Sequence, residues 1–363
     1  MIYTVLAIET SCDETAISIV SGKKNNNQLS EINIHAHVIE SQIQIHAVFG
    51  GVVPEVAARD HLAKIYDVAK CALNSANIPL AQINAIAVTL GPGLIGALMV
   101  GVLFARGLAV SLSKPLIGVN HIDAHLSPAL LVKNFSQETD LNTWKIVEYP
   151  EFPALALTVS GGHCHLSYLK NIHEKVILGK TLDDACGEAF DKVGKLLGLG
   201  YPGGPAIEIM AQKARLAGET NLYTFPHKIA DTKNRYSFSY SGIKTAVMEV
   251  VRKETGHFKG KISGAQLSSE LKQSIAYSFQ EAALSQLLNR VQNALNDFPE
   301  IKSVLIAGGV AQNKRFREIF SSLSVPLHFA PPSLCSDNAT MIALQALLAQ
   351  KYDGFKDQAF ARY

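Results

Sequence analysis

The chain has a single tryptophan and only five cysteines in 363 residues. The cysteines (Cys12, Cys71, Cys164, Cys186 and Cys335) are odd in number, scattered and never spaced C-x-x-C, which argues against a disulfide framework and against a thiolate zinc site. Nowhere do about 18 apolar residues run together, so no membrane-spanning helix is expected. Residues 1–9 lack a basic leader and a small-residue cleavage motif, and the expectation is a cytoplasmic protein without a targeting segment. A strong charge of one sign is missing too: the net charge is +2, too mild to announce a nucleic-acid binder by composition. Any RNA contact must be local. Lys192/Lys195, Lys233/Arg235/Lys244, Arg252/Lys253/Lys259/Lys261 and Lys314/Arg315/Arg317 are the basic clusters, and ordinary solvated surface would also explain them.

What is present suits a compact α/β enzyme of two ordinary domains: 48% hydrophobic residues, 18% charged and a mean hydropathy of +0.14. Two β-rich runs, 3–9 and 15–20, surround the polar turn Ser11-Cys12-Asp13-Glu14, and 154–160 and 164–169 repeat that shape around Gly161-Gly162. The echo continues. Residues 83–90 lead through Gly91-Pro92-Gly93 into a helical run, as 302–307 lead through Gly308-Gly309 towards Asn313. A further short strand precedes His121 in one half and Asp337 in the other. The order of elements therefore predicts two related halves, divided near residue 150, with the helix of about 338–350 able to cross back. Helical periodicity is clear at 183–198, 205–217, 241–254 and 266–296, while the hydrophilic stretches 21–30 and 133–150 read as surface loops.

Several strings could carry chemistry. His121-Ile-Asp-Ala-His125 puts two imidazoles at i and i+4 on one helix face, which permits a metal site but needs a third ligand; a pair of core or exposed histidines is the competing reading. A zinc protease would show a glutamate directly after the first histidine, and Ile122 stands there. Thr158-Val159-Ser160-Gly161-Gly162-His163 offers a hydroxyl and glycine amides at a strand end, suited to a phosphate or carboxylate, although a hairpin turn explains it equally. The acidic turn 9–15 suits a metal-bound or hydrogen-bonded ligand, or a capping role. In 183–192, Asp183 and Asp184 fit the start of a helix. Glu188 and Asp191 lie deeper, leaving salt bridges to Lys192 or Lys195, or ligand binding. Gly204 could donate its amide or merely permit a turn. Asn313 and Asp337 stand at helix starts, where ligand residues and ordinary N-caps both occur.

Taken together, ETSCDET (9–15), HAVFGGVVPEVAARDH (46–61), GPGLIGALMVG (91–101), HIDAH (121–125), VSGGH (159–163), DDACGEAFDKVGKLLGLGYPGGP (183–205), FSYSGIKT (238–245), AGGVAQNKRFRE (307–318) and CSDNATMIA (335–343) resemble the TsaD family in family order. The GGVVPE form at 50–55 resembles its bacterial branch. Ile122-Asp123-Ala124 replaces the usual M-E-G, Thr158 the usual leucine, and Ala311-Gln312-Asn313 the usual S-A-N; none removes a ligand.

The resemblance implies an α/β, two-lobed fold of the actin, sugar kinase and Hsp70 ATPase (ASKHA) superfamily, with a duplicated half and a central cleft. Residues 1–150 would form the N-terminal lobe with the histidine ligands. Residues 151–363 would form the C-terminal lobe, with a helical insertion, the substrate loops and the aspartate ligand. His121, His125 and Asp337 would hold one divalent metal ion, Fe2+ first and Zn2+ as the alternative. The implied reaction transfers the threonylcarbamoyl group of threonylcarbamoyl-AMP to N6 of adenosine 37 in the anticodon loop of tRNAs that read ANN codons, releasing AMP. Thr158, Val159, Ser160, Gly161, Gly162, Asp191, Gly204 and Asn313 would bind the adenylate. Asp13 and Glu14, or Asp191, are candidates for the base. The implied protein partners are TsaB and TsaE, so an apolar face is expected on 1–115; residues 96–110 could supply it, with a buried core helix as the other reading. A small-molecule kinase of the same fold, a non-catalytic scaffold and a metalloprotease are the alternatives.

Overall fold

The computed structural model describes residues 2–25, 28–131, 144–145, 149–218, 223–226, 234–256, 262–348 and 359–360. It forms two units, Met1–Pro150 with His328–Tyr363, and Glu151–Leu327. In the first, β1 (Ile2–Glu9), β2 (Glu14–Asn25) and β3 (Gln28–Ser41) are followed by α1 (Ile43–Ala47), α2 (Pro54–Ala76), β4 (Ala85–Gly91), α3 (Ile95–Ser111), β5 (Leu116–Asn120), α4 (His121–Leu131) and β6 (Trp144–Lys145). The second holds β7 (Ala154–Val159), β8 (Cys164–Leu169), β9 (Lys175–Lys180), α5 (Cys186–Leu196), α6 (Gly203–Ala217), α7 (Ser241–Thr255), α8 (Ser269–Asp297), β10 (Ser303–Ala307) and α9 (Lys314–Phe320). After β11 (Leu327–Phe329), α10 (Ala339–Leu348) belongs to the first unit.

The two sheets have the same plan. Their strand orders are β5-β4-β1-β2-β3-β6 and β11-β10-β7-β8-β9. β1 runs parallel to β4 and antiparallel to β2, which is antiparallel to β3. Likewise β7 runs parallel to β10 and antiparallel to β8, which is antiparallel to β9. Five strands of each sheet therefore follow one order, as the duplicated halves read from the sequence require, and β6 at the edge of the first sheet has no counterpart among the described residues. The central strands β4, β7 and β10 are buried along their whole length, as strands covered by helices on both faces must be, and their sequences are near-continuous apolar runs for that reason.

Three expectations change. Residues 328–363 were expected in the second lobe, yet α10 lies against β1, β2, β3 and α4. Nine of its ten residues are buried, and a helix apolar on all sides has to be enclosed. The stretch 21–30, expected as a loop, is largely the β2–β3 hairpin, with Ser21 opposite Asn33 and Gly22 opposite Ile32. Its alternation is hidden because an inward position is Gly22, where a side chain would press on Leu29 and Leu347. Of the second predicted loop, most of 133–148 lies outside the described residues. Third, α3 is neither wholly core nor wholly surface. It buries Ala97, Leu98, Val102, Ala105 and Ala109 beside Ile65, Ala72 and Val88, and exposes Ile95, Met99, Leu103 and Val110.

Among the described residues, no helix is long and apolar enough to cross a membrane.

Candidate metal centre

β5 delivers Asn120 to the start of α4, where its side-chain oxygen accepts from the amides of Ile122 (3.0 Å) and Asp123 (3.1 Å). That cap fixes the first turn, so His121 and His125 project one above the other on the inner face, both buried. Their Nε2 atoms are 3.2 Å apart. Asp337 Oδ1 lies 3.1 Å from His125 Nε2 and 3.5 Å from His121 Nε2. Asp337 was a cap candidate by sequence, but Asn338 takes that role, accepting from Met341 N at 3.0 Å. The Asp337 carboxylate is thereby left to face the histidines.

Behind His121, Nδ1 sits 3.3 Å from Glu9 Oε2 and 3.2 Å from Ser11 Oγ. Glu9 is wholly buried and is itself held by Thr89 Oγ1 and by Ser11 N, the latter at 2.5 Å. With Nδ1 donating to Glu9, the lone pair of His121 Nε2 points at His125 and Asp337, an arrangement that orients a metal-ligating imidazole. Burial works to lower the pKa of His121, but the carboxylates of Asp337 and Glu9 outweigh it and push the value up to about 9. A cation among the three donors would replace that proton. The donor atoms lie within 4.8 Å of one another, and two imidazoles with one carboxylate are ligand types that a divalent transition metal takes. His121, His125 and Asp337 therefore fit a metal ion.

Asp13 is buried and Glu14 nearly so, in the turn between β1 and β2. Burial, then the charges of Asp337 and Asp13, push the Glu14 carboxyl well above the usual range. Burial and the neighbouring Asp13 carboxylate raise the Cys12 thiol as well, which keeps it unreactive.

The second unit carries the other predicted residues. Gly308 (φ 97°) approaches so closely that a Cβ would collide with the Val159 backbone, and β7 pairs with β10 at Thr158 and Ala307. The loops after these parallel strands therefore emerge side by side at their C-terminal ends, where α/β sheets bind ligands. Thr158 and Ser160 are buried, with Ser160 Oγ accepting from His163 N at 3.2 Å. Gly161, Gly162, Gly204 and Gly309 have open space where a side chain would stand, so their backbone is accessible to a ligand. Gly161 O also accepts from Glu188 N at 2.9 Å, tying this loop to α5.

Asp191 Oδ1 accepts from Gly203 N at 2.7 Å, holding the start of α6 beside α5. Asn313 caps α9, its oxygen accepting from Phe316 N at 3.0 Å, while its amide donates to Gln280 Oε1 at 2.9 Å. Asp183 and Asp184 precede α5 rather than open it. Asp183 accepts from Tyr240 N (2.7 Å), Ser241 N (3.3 Å), Ser241 Oγ (2.7 Å) and Ser239 Oγ. Asp184 pairs with Lys192 (2.6 Å) and Lys244 (2.5 Å), and Glu188 pairs with Lys192 at 2.8 Å. Of the basic clusters, Lys233, Lys259 and Lys261 lie outside the described residues.

Sequence reasoning missed three residues. Glu9 was read only as part of a turn, though a buried glutamate at a strand end was the signal available. Gln280, which holds Asn313, and Glu208, which accepts from Lys314 N at 2.8 Å, carry no signal, because both depend on how helices pack.

Fold and donor set together define a two-unit α/β protein with a duplicated sheet and a two-histidine, one-carboxylate centre that could hold a divalent metal. The chain belongs to the TsaD family, tRNA N6-adenosine threonylcarbamoyltransferase, which matches residues 33–344. It is 43% identical over 360 residues to the protein of that name from Thermosipho melanesiensis, covering 97% of this chain and 96% of that one. It is 42% identical over 356 residues to the protein of that name from Prochlorococcus marinus (strain MIT 9515), covering 96% and 91%. Among solved structures, a ROK hexokinase from Thermus thermophilus aligns over 95% of this chain and 97% of its own at 16% identity and a TM-score of 0.38, a likeness too weak to carry an argument.

Proposed function

We propose that this protein transfers the threonylcarbamoyl group from threonylcarbamoyl-AMP to N6 of adenosine 37 in tRNAs that read ANN codons, releasing AMP. The observation that carries the proposal is the convergence of His121, His125 and Asp337 in a chain of this family. The new bond joins N6 to the carbamoyl carbon, the bond from that carbon to the phosphate oxygen breaks, and AMP leaves with the electron pair while N6 loses a proton. The adenylate is already activated, so the protein's part is to bind, orient and keep water away.

In this reading Thr158, Val159, Ser160, Gly161, Gly162, Asp191, Gly204 and Asn313 hold the adenylate. The open glycine backbones at 161, 162 and 204 receive its polar groups, and Asn313, braced by Gln280, keeps its loop in place. His121, His125 and Asp337 would hold one metal ion, Fe2+ before Zn2+, a pair of metals that both accept two imidazoles and a carboxylate. Bound there, the ion supplies a Lewis acid for an oxygen of the intermediate. Asp13 and Glu14 are the carboxylates proposed to take the N6 proton. The target base lies in a single-stranded loop, so no duplex has to open.

TsaB and TsaE are the proposed partners, in the cytoplasm. Leu62 and Tyr66 on α2, with Ile95, Met99, Leu103 and Val110 on α3, are exposed apolar side chains on two helices that pack together, and such a patch suits a protein interface.

The test is transfer of labelled threonine from threonylcarbamoyl-AMP into unmodified ANN-decoding tRNA by the purified protein with TsaB and TsaE. Label at nucleotide 37 that disappears in His121→Ala/His125→Ala supports the reading. No label with folded, metal-loaded protein and active partners overturns it.

A further inference from the structure

The turn that braces His121 is itself held from behind by a chain of buried side chains that the reaction does not use. His46, Gln42 and His61 are each 0% exposed. His46 Nδ1 lies 3.3 Å from Val53 N, and His46 Nε2 lies 3.1 Å from Gln42 Oε1. Gln42 Nε2 lies 3.3 Å from His61 Nδ1 and 3.4 Å from Ala57 O. His61 Nδ1 is also 2.7 Å from Thr15 Oγ1, and His61 Nε2 is 3.0 Å from Cys12 O.

Satisfying every atom assigns each proton. Val53 N–H can only donate, so His46 Nδ1 accepts and His46 Nε2 carries the hydrogen that it gives to Gln42 Oε1. The Gln42 amide then presents N–H groups to Ala57 O and to His61 Nδ1, which accepts from Gln42 and from the Thr15 hydroxyl. His61 Nε2 therefore carries a hydrogen and donates it to the carbonyl of Cys12. One direction of donation runs unbroken from Val53, beside the tight turn at Gly50 and Gly51, to Cys12. Burial lowers the pKa of His61, in keeping with the neutral ring that this order requires.

The far side of Cys12 is the metal centre. Ser11 touches both His121 Nδ1 and Glu9, and the backbone of Asp13 is fixed by Gln42 N at 2.9 Å. Gln42 thus holds the turn twice, once through its own amide and once through His61.

We propose that His46, Gln42 and His61 form a one-way hydrogen-bond relay of positioning residues, which locks the turn of Ser11, Cys12 and Asp13 against His121 and so orients the metal ligand. The proposal rests on the reading of His121, His125 and Asp337 as metal ligands. The three relay residues are fully buried and bonded to other protein atoms, so they act through the turn.

The experiment uses the full-length protein labelled with 15N at histidine, with Co2+ as the metal probe. In metal-free protein, long-range 15N–1H spectra are expected to show His46 and His61 neutral, each protonated at Nε2 only; the Nδ1–H form at His61 overturns the relay. In Gln42→Glu the atom facing His61 Nδ1 becomes an acceptor, and His61 is expected to gain a second proton at a pH where the parent ring is neutral. In His61→Leu the His121 Nδ1 resonance is expected to move and Co2+ affinity to fall about tenfold, the low end of what outer-shell losses cost a metal site. His61→Gln, which keeps a donor for Cys12 O and an acceptor for Thr15, is expected to recover most of that affinity and the parent His121 resonance. An unchanged His121 signal and unchanged Co2+ affinity in folded His61→Leu overturn the positioning role. Should His61→Leu fail to fold, the His61→Gln and Gln42→Glu spectra decide. Absence of Co2+ binding in the parent protein would remove the metal reading alone, since the tautomers and the His121 shift are read without metal.

Discussion

His125 Nε2 stands 3.1 Å from Asp337 Oδ1, a contact between the second turn of α4 and the loop that leads into α10. One residue on, Asn338 caps α10, and the Asp337 carboxylate faces both histidines. With His121 Nε2 beside them and Glu9 fixing that ring from behind, three donors meet whose mutual repulsion and proton sharing a cation would resolve.

Removing any one donor should abolish tight metal binding. The parent protein is expected to gain about 2.7 kcal/mol of stability at a hundredfold excess of Zn2+ over its dissociation constant. His125→Ala and Asp337→Ala are expected to show no metal-dependent shift of Tm. Thermal unfolding with chelator and with Zn2+ reads both, and a full metal response in either variant counts against the assigned ligands.

Metal affinity should fall as pH falls. Metal-free His121 titrates at about 9, and the ion competes with that proton, so below 9 each pH unit costs about tenfold in affinity. Without metal the sign reverses. A histidine with a raised folded pKa adds stability that is fully present below its unfolded pKa, about 6.5, and is lost as pH rises through about 9. Competition titrations and chelated unfolding curves between pH 6 and 9.5 check the two trends, which must run in opposite directions.

Asp183→Ala should loosen the start of α7. Four donors from Ser239, Tyr240 and Ser241 lose their acceptor. The group is largely exposed, so the expected loss is about 1–2 kcal/mol rather than the full sum of the bonds. Although burial alone would raise its pKa, the bonds from the Ser239 and Ser241 hydroxyls and from the Tyr240 and Ser241 amides lower it overall. This stabilisation is present above the ordinary aspartate value and is lost as pH falls through the folded one. In urea denaturation the difference between parent and variant should be largest at pH 7 and shrink as the pH falls below the ordinary aspartate value.

Leu103→Glu and Met99→Glu should leave the fold intact and weaken a protein partner. Both side chains are more than half exposed, so Tm is expected to move by an amount worth no more than about 0.5 kcal/mol. If this face docks TsaB, affinity is expected to fall by about 2 kcal/mol or more, near thirtyfold, as for a central interface residue. Calorimetry with the purified partner separates the two, and unchanged affinity in both variants would place the interface elsewhere.

Much of the site was legible because it rests on local rules. The i and i+4 spacing put His121 and His125 on one face of α4, and the β-rich runs marked β1, β2, β7 and β8 together with the polar turn and the glycine turn between the members of each pair. The order of elements was enough to see two halves, since strand, turn and helix are each set by nearby residues. What the sequence could not fix was which ambiguous residue takes which task. Asp337 could be read either as a ligand or as an N-cap, and only the structure shows the neighbouring Asn338 capping α10. Asn313 looked free for a ligand, and the phase of α8 brings Gln280 to it. That the helix of about 338–350 could cross back was legible, but the placing of 328–363 in the first unit and the alignment of His46, Gln42 and His61 behind the metal turn were decided by the tertiary structure. Hydrogen bonds across a core depend on where whole helices come to lie, and that is settled by burying apolar surface summed over many residues, which no short string of sequence contains.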